Sequence, residues 1–163
     1  MFKPIEEKDA TGKVKEIFDE IKEARQITEI PNFWKTMANS PETLERTWRS
    51  LQQVMGKGEL DPAVKELIYV AVSITNNCEY CIKSHSLAAR KKGALDPVTK
   101  ELIYVAVSIT NGCEYCIKSH SLAAKKKGAS DEMLKEMFAV VGLANKNNKL
   151  VDSYQVEVDE IYK

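Results

Sequence analysis

Two sets of four side chains hold the reactive chemistry of this 163-residue chain. Glu66, Cys78, Cys81 and His85 follow the spacing Glu-x11-Cys-x2-Cys-x3-His, and Glu101, Cys113, Cys116 and His120 repeat it further along. These are all the cysteines and histidines of the chain. A thiolate is the nucleophile that attacks peroxides and disulfides, and a cysteine at a helix N-terminus is acidified by the unpaired N–H groups there. Cys78 and Cys81 stand at such a start, and helix-terminus reasoning gives the first cysteine of each pair the lower pKa. His85 follows Cys81 by four residues, one turn along the same helical face, where an imidazole can serve the thiol as base. Glu66 precedes an apolar stretch, where a buried carboxylate needs a partner, and His85 is the natural one. A Glu-His-Cys relay would carry the proton off one thiol while its neighbour traps the resulting sulfenic acid as a disulfide. The relay calls for no cofactor and no metal.

Two plainer readings compete. Two cysteines and a histidine supply three of the four ligands that a tetrahedral zinc site prefers, although neither set has an obvious fourth. Alternatively the thiols are idle in a helical scaffold, and Glu66 is a surface residue paired with Lys65.

The elements that must position these groups come from a tandem repeat. Residues 60–94 and 95–129 differ only at Ala63/Val98, Val64/Thr99, Asn77/Gly112 and Arg90/Lys125. Such near-identity marks a recent or an engineered duplication, and two units are too few for a solenoid, so the repeat reads as a duplicated helix-turn-helix inside one domain, 1–163. Asp61-Pro62 and Asp96-Pro97 start a helix in each copy, and LIYVAVSIT is apolar on nearly every side, which predicts interior helices over 67–75 and 102–110. A turn at Asn76-Asn77 or Asn111-Gly112 begins a second helix, ended by Gly93 or Gly128. Upstream, Val14, Ile17, Phe18 and Ile21 share one helical face, Phe33, Trp34 and Met37 begin a short helix, and Ser40-Pro41 caps a third that Gly56 and Gly58 end. Trp34 and Trp48 read as core. Downstream, Ser130 caps a helix to about Asn145, residues 145–149 read as a polar linker, and 150–162 as a last amphipathic helix. The fold class is all-α.

Composition excludes several partners. Lys plus Arg equals Asp plus Glu at 24 each, so no basic field draws nucleic acid or an anionic membrane. Apolar runs are too short to span a bilayer, and the opening residues lack the apolar centre of a signal peptide. Cytoplasmic location is the expectation, and paired cysteines there are more often redox-active or metal-bound than structural. An added apolar hairpin left bare would drive association, by domain swapping or a larger oligomer.

The setting ELIYVAVSIT..CEYCIKSHSLAA..KGA, with PNFWKTMANSPETLERTW upstream and SDEMLKEMFAVV downstream, resembles the AhpD-like alkylhydroperoxidase branch of the carboxymuconolactone decarboxylase family. The resemblance implies an AhpD-like all-helical domain, trimers or hexamers, and thiol-dependent reduction of a hydroperoxide by way of a thiol or lipoyl-bearing reductant protein. It makes Cys81 and Cys116 peroxidatic, Cys78 and Cys113 resolving, and Glu66/His85 and Glu101/His120 the relay. Here it disagrees with helix-terminus reasoning, and the histidine one turn from the second cysteine decides for the family order. Two features depart from the pattern: Tyr80 and Tyr115 stand where some members have histidine, and the family unit usually holds one motif. Decarboxylase or lactone chemistry, found in other branches, has no need of Cys-x-x-Cys.

Overall fold

A computed structural model describes residues 3–90 and 96–162, and every regular element among them is helical. The helices are α1 (Gly12–Arg25), α2 (Asn32–Met37), α3 (Pro41–Met55), α4 (Pro62–Thr75), α5 (Glu79–Arg90), α6 (Pro97–Thr110), α7 (Glu114–Lys126) and α8 (Asp131–Tyr154), with short 3-10 turns at Glu7–Asp9 and Glu160–Tyr162. Gly93, expected to stop α5, lies outside the described residues.

Local chemistry sets the helix starts. Ser40, Asp61, Asp96 and Ser130 each accept a hydrogen bond from a backbone N–H of the first turn, and proline follows three of them at the position where a missing N–H costs nothing. Both inter-helix turns need a left-handed residue: Asn77 has φ 53° and Gly112 has φ 69°. Asparagine tolerates that region better than most residues and glycine tolerates it best, so the substitution between copies leaves the turn intact.

The core gathers the apolar faces predicted for α1 and α3 around α4 and α8. Val14, Ile17, Phe18 and Ile21 are buried, as are Leu44 and Trp48. Trp34 and Trp48 meet edge to face with centroids 5.5 Å apart, and Phe33 packs on Trp34 at 4.9 Å. α4 packs on α5, α8 and α6, whereas α6 reaches α7, α4 and α8.

Two expectations need correction. α8 is one continuous 24-residue helix, so 145–149 is no linker and no second helix follows over 150–162. The asparagines there do not break the helix because their side chains are engaged elsewhere: Asn145 and Asn148 accept from Asn76, and Asn148 donates to Ser73. The second copy is also less interior than its sequence suggests. Leu102, Val105 and Ala106 are buried, but Tyr104 is 60% exposed where its counterpart Tyr69 is 1% exposed.

Candidate active site

The turn from α4 to α5 sets the first cysteine pair. Ser73 O accepts from Cys78 N at 2.9 Å, which leaves Cys78 just before the first residue of α5 and Cys81 in its first turn. Both cysteines are buried and free. The Cys81 thiol and its backbone N–H both point hydrogen at the Cys78 sulfur and outweigh burial, so the Cys78 pKa falls below its ordinary 9.0. Cys81 is pushed far up, first by its hydrogen bond with Cys78 and then by burial. One turn on, His85 Nδ1 lies 2.6 Å from Glu66 Oε2, and the Tyr69 ring stacks on the imidazole at 3.6 Å and 17°. Glu66 is therefore the partner of His85. Lys65, read as its alternative partner, is fully buried and turned the other way, where it binds the Glu136 carboxylate and donates to Gly56 O and Val54 O.

A cavity of about 40 Å³ opens beside this group. Cys81, Ser84 and His85 form one wall; Arg25, Pro31, Phe33, Trp34, Leu51, Tyr69 and Tyr80 form the rest, with Asn147 of α8. Asn147 is 3% exposed and its Oδ1 has no hydrogen-bond partner, while its side chain also bonds the Tyr69 hydroxyl. Burial and the nearby Cys81 sulfur push the Tyr69 phenol well up, so it stays protonated. Tyr80 accepts from Phe33 N at 3.3 Å and donates to Asp159 at 2.9 Å, tying α5 to α2 and to the chain end.

The second set repeats the local geometry in different surroundings. His120 Nδ1 lies 2.7 Å from Glu101 Oε2 and stacks on Tyr104 at 4.3 Å, and Lys127 adds a 2.5 Å contact to Glu101. Lys127 first and His120 second hold the Glu101 carboxyl below its usual range. Cys113 and Cys116 are joined in a disulfide and are half-buried. Tyr115 is 81% exposed where Tyr80 is 6%. The Glu–His pair thus forms in both copies, and the cavity beside Tyr69 and Trp34 is lined by Cys81 and His85 of the first.

Sequence reasoning overlooked Tyr69, Asn147 and the structural reach of Tyr80, and it assigned Trp34 to the core when it is both core and pocket wall. The partner of each lies in another element, which no spacing within one helix reveals. Among the described residues no group of three His, Cys, Asp or Glu side chains is placed to hold a metal ion. No described helix is long and apolar enough to cross a membrane.

The profile of the carboxymuconolactone decarboxylase family matches residues 41–96 and again residues 88–156. No curated protein sequence matches. Among solved structures, the alkylhydroperoxidase AhpD core of a peroxidase-related protein from Ralstonia eutropha JMP134 is 17% identical over 99% of this chain and 93% of its own, with a TM-score of 0.84. A peroxidase-related protein from Silicibacter sp. TM1040 is 21% identical over 91% and 85%, with a TM-score of 0.79. The debrominase Bmp8 is 15% identical over 99% and 94%, with a TM-score of 0.76. At such identities the likeness is one of fold, and the fold is AhpD-like.

Proposed function

The chain belongs to the carboxymuconolactone decarboxylase family, and from that premise we propose that its first site reduces hydroperoxides with the Cys78/Cys81 pair. The observation that carries this reading is a free, buried dithiol with one sulfur on the wall of a small pocket, beside a carboxylate-bound imidazole. Charge on the pair rests on Cys78, the sulfur with the lowered pKa. As the peroxide enters, Cys81 passes its proton to Cys78 and attacks the terminal peroxide oxygen. An S–O bond forms, the O–O bond breaks, and the departing alkoxide takes a proton through His85, which Glu66 orients. Cys78 then attacks the Cys81 sulfur, giving a disulfide and releasing hydroxide that leaves as water. Two thiols supply two electrons, and one further proton comes from solvent. Asn147 Oδ1, buried without a donor, accepts the hydroperoxide O–H and aims the terminal oxygen at Cys81.

This order resolves the conflict between electrostatics and family pattern. The acidic sulfur is Cys78, but the sulfur on the pocket wall is Cys81. Acidity then serves to store the charge, and access decides which sulfur is attacked. Regeneration requires a dithiol, for which a lipoyl-type reductant protein is the proposed partner. The second pair, oxidised and half-exposed, is idle in this arrangement.

Steady-state reduction of tert-butyl hydroperoxide driven by dihydrolipoamide tests the reading. In a Cys113→Ser/Cys116→Ser background, Cys81→Ser is expected to fall to the uncatalysed rate, and turnover that survives it contradicts the assignment.

A further inference from the structure

α4–α5 is held in its place by a row of polar contacts that the second hairpin could make equally well. Lys65 engages Glu136 and the last carbonyls of α3. Ser73 accepts from Asn148, Asn76 donates to Asn145 and Asn148, and Tyr69 bonds Asn147. All four residues of α4 recur unchanged as Lys100, Tyr104, Ser108 and Asn111. In the second hairpin they lack those partners: Lys100, Tyr104 and Asn111 are exposed, and Ser108 turns its hydroxyl back to Tyr104 O. The four differences between copies spare this row. Asn77 and Gly112 both take the left-handed turn, Ala63/Val98 differ by two methyl groups at a buried or half-buried position, and Val64/Thr99 exchange a buried methyl for a hydroxyl. The family profile also fits both ways, running from α3 into the first copy and from the second copy straight into α8.

We infer that the Glu136–Asn148 face of α8 is a docking surface for either hairpin. The α6–α7 hairpin can replace α4–α5 on it, bringing Cys113, Cys116, His120 and Glu101 to the pocket that Cys78, Cys81, His85 and Glu66 occupy here. The two sites are then alternatives that share one set of walls, and each chain has one working centre at a time. The inference rests on the docking contacts, not on the peroxidase reading, and its test reads cysteine burial rather than turnover.

The protein is reduced with dithiothreitol, pulsed with a maleimide and mapped by mass spectrometry. The two cysteine peptides differ in mass through Asn77 and Gly112. In the intact chain Cys113 and Cys116 label fast and Cys78 and Cys81 slowly. In the double variant Lys65→Ala/Asn76→Ala the pattern inverts: Cys113 and Cys116 become protected by about tenfold or more, while Cys78 and Cys81 react freely. The mirror variant, Lys100→Ala/Asn111→Ala, slows Cys78 and Cys81 further by closing off the exchange. If Cys113 and Cys116 stay as reactive in the first variant as in the intact chain, whether or not that variant remains folded, the inference fails. It fails equally if the mirror variant leaves Cys78 and Cys81 labelling unchanged.

Discussion

Of the two sulfurs, Cys78 is the one on which charge is favoured and Cys81 the one that holds its proton more tightly. The N–H and S–H of Cys81 both favour charge on Cys78, so Cys78 remains a thiolate below pH 9.0, the ordinary thiol value, and is lost only as pH falls through its depressed pKa. Ultraviolet thiolate absorbance in a Cys113→Ser/Cys116→Ser background is expected to titrate below that value, and Cys81→Ala, which removes the S–H donor, is expected to move the titration upward. His85→Gln removes the proton carrier and is expected to lower the rate by roughly 10²–10⁴-fold, as losses of general acid–base groups do, with the dithiol still present by thiol count. The neighbourhood of Glu66, Cys81 and His85 was legible in their spacing, because one helical turn sets Cys81 beside His85. Asn147 was not legible: it reads as one of several polar residues in an asparagine-rich stretch, and only the pocket it faces distinguishes it.

At the scale of elements, α4 is fastened to α8 by a buried ion pair. Burial pushes the Glu136 carboxyl up, but the Lys65 ammonium and the Leu60 N–H outweigh it and leave the carboxyl below its ordinary 4.5. A carboxylate with a lowered folded pKa contributes stability that is complete above the unfolded value and is lost as pH falls through the folded one. Glu136→Gln is therefore expected to flatten the acid limb of the stability curve below about pH 4.5 and, by leaving the Lys65 charge buried without its partner, to cost about 3–5 kcal/mol near neutrality. Urea denaturation across pH reads both effects. The hairpins themselves could be read from Asp-Pro starts and Asn-Asn or Asn-Gly turns, since capping and left-handed backbone are local matters. The continuity of α8 could not. Asn145 and Asn148 look like a break until Asn76 and Ser73, roughly seventy residues away in sequence, take up their side chains.

For the whole molecule, the duplication decides what is inside. The sequence predicts interior helices over 67–75 and 102–110, but the two are buried unequally, with Tyr69 1% exposed and Tyr104 60%. Ile74, Tyr104, Tyr115, Leu122 and Phe138 are left exposed as a result. Such surface favours self-association, and sedimentation is expected to give a species larger than one chain that dissociates further when Tyr104 and Leu122 are replaced by serine. A chain lacking residues 95–129 joins Ala94 to Ser130, the same residue pair that Ala129 and Ser130 make in the full sequence. It is expected to keep the Cys78/Cys81 site and the full hydroperoxide rate per chain, because every wall of that pocket lies outside the deleted segment.

The central claim is that peroxide oxygen is reduced by the enclosed dithiol. Its most direct test is a single-turnover titration of the reduced Cys113→Ser/Cys116→Ser protein with tert-butyl hydroperoxide, followed by disulfide mapping. One equivalent of alcohol per chain, formed together with a Cys78–Cys81 disulfide, is the predicted result. Peroxide consumption without that bond, or a reduced pair that survives excess peroxide, would contradict it.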